Sequence, residues 1–149
     1  MRLALFQPDI AGNVGTILRL GACFGVPVDL IEPMGFPWSD KGRKRAAMDY
    51  DGKVEIARHA DFDAFVGTLP GRIILLTTRG ETRLPDARFL ADDTLLLGAE
   101  STGVPDYVHN RADLTVRIPM QAELRSLNVA VSAGIGLAEA LRQTEGFLA

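Results

Sequence analysis

Apolar residues along this chain follow two periods. Short apolar-rich runs occur at Arg2–Phe6 (RLALF), Val28–Ile31 (VDLI), residues 72–77 (RIILLT), Thr94–Leu97 (TLLL) and residues 114–120 (LTVRIPM), those at 72–77 and 94–97 being continuous. Runs this short, bounded by Gly, Pro and Asp, are the signature of strands buried on both faces. Residues 53–56 predict a further short strand. Helical spacing takes over between them. A helix is expected over about 14–24, capped by Asn13 and stopped by Gly25 and Pro27, and another over 61–69 with Asp61 as its cap. From Ser126 to about Gln143, Leu127, Val131, Ile135, Ala138 and Leu141 recur at helical spacing, which predicts the core-facing side of a long helix. Ala130, Ala133, Gly134, Gly136 and Ala140 lie in the same stretch. Glycine lowers helix propensity and persists mid-helix mainly where another backbone comes close. A loop, a ligand or a second subunit is therefore expected against this helix.

Strand alternating with helix defines an α/β fold with a mainly parallel sheet flanked by helices. Ligands of such sheets collect at loops beyond the carboxyl ends of the strands. The chain shows no repeat or linker, and 149 residues suit a single domain spanning 1–149.

Composition narrows the class further. Hydrophobic residues make up 47% and charged residues 23%, so disorder is not indicated. No apolar run approaches the ~18 residues of a membrane helix, and LALF is too short for a signal-peptide core, which points to a cytoplasmic protein without a membrane partner. A net charge of −3 argues against indiscriminate polyanion binding but leaves room for a local basic patch. The densest cationic cluster is KGRKR, with Lys41, Arg43, Lys44 and Arg45, either a solvated helix face or a phosphate-contacting patch. The lone Cys23 reads as an inert core thiol. His59 and His109 lack supporting cysteine or carboxylate spacing and read as surface residues, so no metal is expected. GAESTG is not a dinucleotide fingerprint, and neither a P-loop lysine nor a G-x-S-x-G elbow is present. What remains is a ligand held by backbone amides.

Three segments carry a more specific signal: NVGTILR at 13–19, LLLGAESTGVP at 95–105, and RIPM through RSLNVAVS within 117–132. In this order and spacing they resemble the three motifs of the SPOUT superfamily, the knotted RNA methyltransferases, over nearly the whole chain. The opening LALFQPDIAGNVGTILRL, LIEPMGF and LTTRG are similar to the branch that acts on the tRNA wobble nucleotide. Ala99, Ser101 and Thr102 depart from that branch's usual GPETRG, and Ala138 stands where it has a tyrosine.

The resemblance implies a C-terminal deep trefoil knot, a homodimer, S-adenosyl-L-methionine as cofactor and tRNA as partner. The implied reaction is methyl transfer to the ribose 2'-hydroxyl of the wobble nucleotide. Another tRNA or rRNA site, or a non-catalytic RNA-binding module of the same fold, are the alternatives. Carried over by position, Leu76, Gly98, Ile118, Met120, Ser126 and Leu127 contact the cofactor. Arg19, Glu100 and Asn128 occupy catalytic positions, while Arg125 with Lys41, Arg43, Lys44 and Arg45 handles RNA. A guanidinium stays protonated and has no spare acceptor, so Arg19 is expected to orient a phosphate and stabilise alkoxide charge rather than remove the proton.

Overall fold

The structure, a computed structural model, describes residues 1–47, 50 and 52–149. The strands are β1 Arg2–Phe6, β2 Val28–Ile31, β3 Ile56–His59, β4 Ile73–Leu76, β5 Thr82–Arg83, β6 Thr94–Leu97 and β7 Leu114–Arg117. The helices are α1 Ala11–Phe24, α2 Asp40–Ala47, α3 Phe62–Val66, α4 Asp106–Arg111 and α5 Val129–Gln143. The strands form one sheet in the order β3-β2-β1-β6-β4-β7-β5, with every pairing parallel. Register aligns Leu5, Leu97, Leu76 and Val116 in one row across the sheet, Leu76 and Leu97 ending their strands and Leu5 and Val116 standing one residue before the end of theirs.

Side chains alternate between two cores. Leu3, Leu5, Ile74, Leu76, Leu95 and Leu97 meet α1 and α5 on one face, whereas Ala4, Phe6, Ile73, Leu75 and Leu96 meet Phe62, Phe65 and Val108 on the other. Each fully buried Leu or Ile contributes roughly 1.5–3 kcal/mol, which is why unbroken apolar runs mark these strands in the sequence. Among the described residues, no helix is long and apolar enough to cross a membrane.

The long C-terminal helix corrects the expected core face. Its buried residues are Ala130, Ala133, Gly136, Leu137, Ala140 and Leu141. Val131 is 50% exposed, Leu127 and Ile135 are each 37% exposed, and Ala138 faces outward too. The cause is proximity to the sheet: a Cβ on Gly136 would stand 2.5 Å from Cδ1 of Leu76. A larger residue at that position would have to displace the Leu76 side chain, and the stripe of Val131 and Ile135 points away from the sheet.

Three single-residue expectations also change. α1 starts at Ala11 with Ile10 at its N-cap position, so Asn13 lies within the first turn and its side chain is free for other bonds. Cys23 is exposed, because it sits two residues, about 200°, around α1 from buried Gly21. His59 is buried, with Nε2 2.8 Å from Asp29 Oδ1. The Arg2 guanidinium donates to the same carboxylate at 2.7 and 3.2 Å, and that bond holds Arg2 above its ordinary pKa. These bonds offset the desolvation of Asp29.

Element boundaries moved as well. β3 lies at Ile56–His59 rather than 53–56, β7 ends before Pro119, and α5 begins at Val129 rather than Ser126. Asp61 caps α3 as expected, accepting from the Ala64 N–H at 2.8 Å. The two-residue β5 and six-residue α4 are too short to carry a periodic signal.

Candidate active site

A cavity of about 570 Å³ opens at the carboxyl ends of β4, β6 and β7. Its floor is the row Leu76, Leu97 and Val116, and its walls are the loops that follow these three strands. Leu76, Gly98, Ile118, Met120, Ser126 and Leu127 all line it, joined by Glu100 and Arg125. Residues more than 50 positions apart in sequence thus share one space. Thr77, Thr78 and Arg79 line it too, although the sequence reading gave them no contact role. Their signal lay in LTTRG, the segment in which an expected strand ends.

The loop after β6 folds back on itself. Ala99 and Gly103 exchange both backbone hydrogen bonds, at 3.0 and 2.8 Å. A Cβ on Gly98 would lie 2.6 Å from the Gly103 carbonyl carbon, so a side chain there would break the turn. The loop therefore presents mainly backbone to the cavity, together with Glu100.

Glu100 anchors a polar chain that fastens the cavity walls together. Its carboxylate accepts from the Asp9 N–H at 2.9 Å and from Asn13 Nδ2 at 3.0 Å. Asn13 Oδ1 in turn accepts from Asn128 Nδ2 at 3.0 Å. Asn128 Oδ1 caps α5, accepting from the N–H groups of Ala130 and Val131 at 2.8 and 3.2 Å. Ser101 donates its hydroxyl to the Asp9 carboxylate. The loop after β1, the start of α1, the loop after β6 and the start of α5 are thereby held in one arrangement. An N-cap of this kind stabilises a helix by about 1 kcal/mol. Both oxygens of Glu100 already accept one bond each, which gives it an anchoring task ahead of any other.

The remaining candidates are placed apart from the cavity. Arg19 is exposed on α1, eight residues and roughly 12 Å along the axis from Ala11, and is not among the lining residues. Its guanidinium carbon sits 5.0 Å from the centroid of the Tyr50 ring. Lys41, Lys44 and Arg45 are exposed on α2, which packs on α1; the side chain of Arg43 lies outside the described residues. At the cavity itself, Arg79 and Arg125 supply positive charge near Glu100. Arg79 also pairs loosely with Asp106, at 3.7 Å.

Fold and site together define an α/β protein that takes a small organic ligand at the carboxyl edge of a parallel sheet. The chain belongs to the SpoU rRNA methylase family, whose model matches residues 1–138. It is 51% identical over 144 residues to the tRNA (cytidine(34)-2'-O)-methyltransferase of Beijerinckia indica subsp. indica, covering 95% of this chain and 90% of that one. A solved structure described as giving insight into 2-OH methylation of C/U34 on tRNA matches with a TM-score of 0.90 at 43% identity, over 95% of this chain and 94% of the other. The AdoMet-bound rRNA methyltransferase from Sinorhizobium meliloti matches with a TM-score of 0.83 at 28% identity, over 95% of this chain and 55% of the other.

Proposed function

We propose that this protein is an S-adenosylmethionine-dependent tRNA methyltransferase acting on the ribose 2'-hydroxyl of nucleotide 34, the target named for its 51% identical relative. The observation that carries the reading is the convergence of Leu76, Gly98, Ile118, Met120, Ser126 and Leu127, from three separate loops, on one cavity. A volume of about 570 Å³ is in the range of sites for drug-sized ligands. The apolar floor suits an adenine ring, and the exposed Arg79 suits a carboxylate.

The cofactor supplies an electrophilic methyl group on a sulfonium centre. The protein's own residues bind it, position the ribose and exclude water. Glu100 and Asn128 hold the walls at fixed separation, and Arg19 steadies the phosphate and the developing alkoxide. Since Arg19 does not line the cavity of its own chain, a homodimer supplies it from the second copy. The exposed apolar surface of Leu124, Val131 and Ile135, with Leu124 64% exposed, is the seam proposed for that dimer. The proposal includes a trefoil knot through the C-terminal half, supported by Arg117 donating to the backbone carbonyls of Gly80 and Glu81 at 2.7 and 2.8 Å. Arg125, Lys41, Arg43, Lys44 and Arg45 would contact RNA phosphates. The whole forms one catalytic domain working where tRNA is, in the cytoplasm.

The test is transfer of labelled methyl from S-adenosylmethionine to tRNA, with the modified ribose mapped. Label at nucleotide 34 is expected, label elsewhere redirects the specificity, and no transfer rejects the enzyme reading. Arg19→Ala should lower kcat about 100-fold or more with little change in cofactor affinity. Mixed dimers of Arg19→Ala with Gly98→Val should regain part of the activity, because one of their two sites keeps both an intact cavity and an intact arginine. No recovery would place Arg19 in its own chain's site.

A further inference from the structure

A second, shallower cavity of about 400 Å³ lies at the carboxyl ends of β2 and β3, bounded by Met34, Phe36, Trp38, Glu32 and Arg58. We propose that this cradle is a second RNA subsite, which receives an unpaired nucleobase a few nucleotides away from the methylated one. The inference rests on the tRNA reading above and adds a recognition element to it.

Position supports this first. The cradle opens on the same edge of the sheet as the methyl-transfer cavity, β2 standing two places from β6 and β3 three. At about 4.8 Å per strand, the distance to the near wall of that cavity, at β6, is about 10–14 Å. A stacked strand rises about 3.4 Å per nucleotide, so an RNA chain crosses that gap in about three or four nucleotides. The two sites are also mechanically joined. Gly35 donates its N–H to the Pro8 carbonyl at 2.9 Å, and a Cβ on Gly35 would lie 2.6 Å from the Asp9 Cβ. Asp9 in turn donates its N–H to Glu100 in the wall of the first cavity.

The chemistry of the cradle fits a base. The rings of Phe36 and Trp38 are half-buried, 6.5 Å apart and inclined at 52°, leaving part of each for a π-face to cover. Glu32 and Arg58 form an ion pair at its edge and keep exposed surface, 32% and 45% of their side chains. A carboxylate accepts from exocyclic amino groups and a guanidinium donates to ring nitrogens and carbonyls, so the pair offers both partners to a base edge. Directly after Trp38, Ser39 Oγ accepts from the Gly42 N–H at 3.0 Å and starts α2, whose Lys41, Lys44 and Arg45 are exposed. Aromatic faces beside a cationic track are how proteins hold single-stranded RNA.

Trp38 is the chain's one tryptophan, so its fluorescence reports on this cradle alone. An anticodon stem-loop RNA is titrated into the intact protein, and methyl transfer is measured on the same samples. Saturable quenching of Trp38 is expected. An abasic nucleotide at one loop position about three or four from the target should relieve the quench and raise KM about 10-fold, with kcat and cofactor affinity unchanged. Trp38→Phe should keep KM near its original value, and Trp38→Ala should raise it about as much as the abasic RNA does. The abasic series leaves the protein untouched, so misfolding of a variant cannot imitate it. Methyl transfer at nucleotide 34 with flat fluorescence and constant KM across the series overturns the subsite and leaves the wobble reading standing. No methyl transfer rejects the wobble reading, and the subsite is then decided by the quench alone.

Discussion

The two sides of α5 differ in size more than in polarity. Against the sheet lie Ala130, Ala133, Gly136 and Ala140, with Leu137 and Leu141 deeper along the same side. Away from it lie Val131 and Ile135, with Leu127 just before the helix, each more than a third exposed. Hydrophobicity alone would bury the second set. The distance between helix and sheet selects the first, because the Leu76 side chain already fills the space beneath Gly136. A close approach of helix to sheet thus leaves a bulky apolar stripe for another surface, and the same approach puts Leu76 where it forms the cavity floor.

The strongest way to break this contrast is to enlarge the buried side. Gly136→Val should destabilise the fold by about 1–3 kcal/mol through overpacking, read as a lower denaturant midpoint. It should also push Leu76 toward the cavity and weaken S-adenosylmethionine binding about 10-fold in calorimetry. Unchanged stability and affinity would show that helix-to-sheet distance does not choose the buried face.

Charging the exposed side should affect the fold far less. Val131→Glu combined with Ile135→Glu should leave the secondary structure intact and change the stability of an isolated chain by about 0.5 kcal/mol or less. It should convert a dimer to monomers in sedimentation and abolish methyl transfer with it. Unfolding instead would mean that this side belongs to the core.

The smallest effect belongs to the boundary between the two sides. Glu139 accepts from Arg142 Nε and Nη2 at 2.9 and 2.8 Å and from Gln143 at 2.7 Å. The Arg142 guanidinium first, and Gln143 second, hold its carboxyl down at about 2, against an ordinary 4.5. A depressed carboxyl pKa stabilises the fold above the unfolded value, and this contribution is lost as pH falls from about 4.5 through about 2. Glu139→Gln should therefore cost less than about 1 kcal/mol at neutral pH, diminish with added salt and fall away as pH drops below about 2. An equal cost at both pH values would assign the effect to packing rather than charge.

The sequence by itself determined the strands that carry the fold and, through a family resemblance, six of the residues that line the cavity, while Thr77, Thr78 and Arg79 were missed. RLALF, VDLI, TLLL and the run around 72–77 are legible because two-sided burial makes most strand positions apolar, with Asp29 kept inside by its bonds to Arg2 and His59. The three segments at 13–19, 95–105 and 117–132 are legible by their resemblance to known motifs, and the second and third of them line the cavity. The tertiary structure alone decided which side of α5 meets the sheet, that Asn13 joins Glu100 to Asn128 instead of capping α1, that His59 is buried on Asp29, and that Cys23 faces outward. Helical period states that a stripe exists, but not which neighbour will be near enough to claim it. Likewise, residues 76, 98 and 118 share a cavity only because β6 pairs between β1 and β4, and β4 between β6 and β7. That order is a matter of long-range pairing, and no local pattern of side chains encodes it.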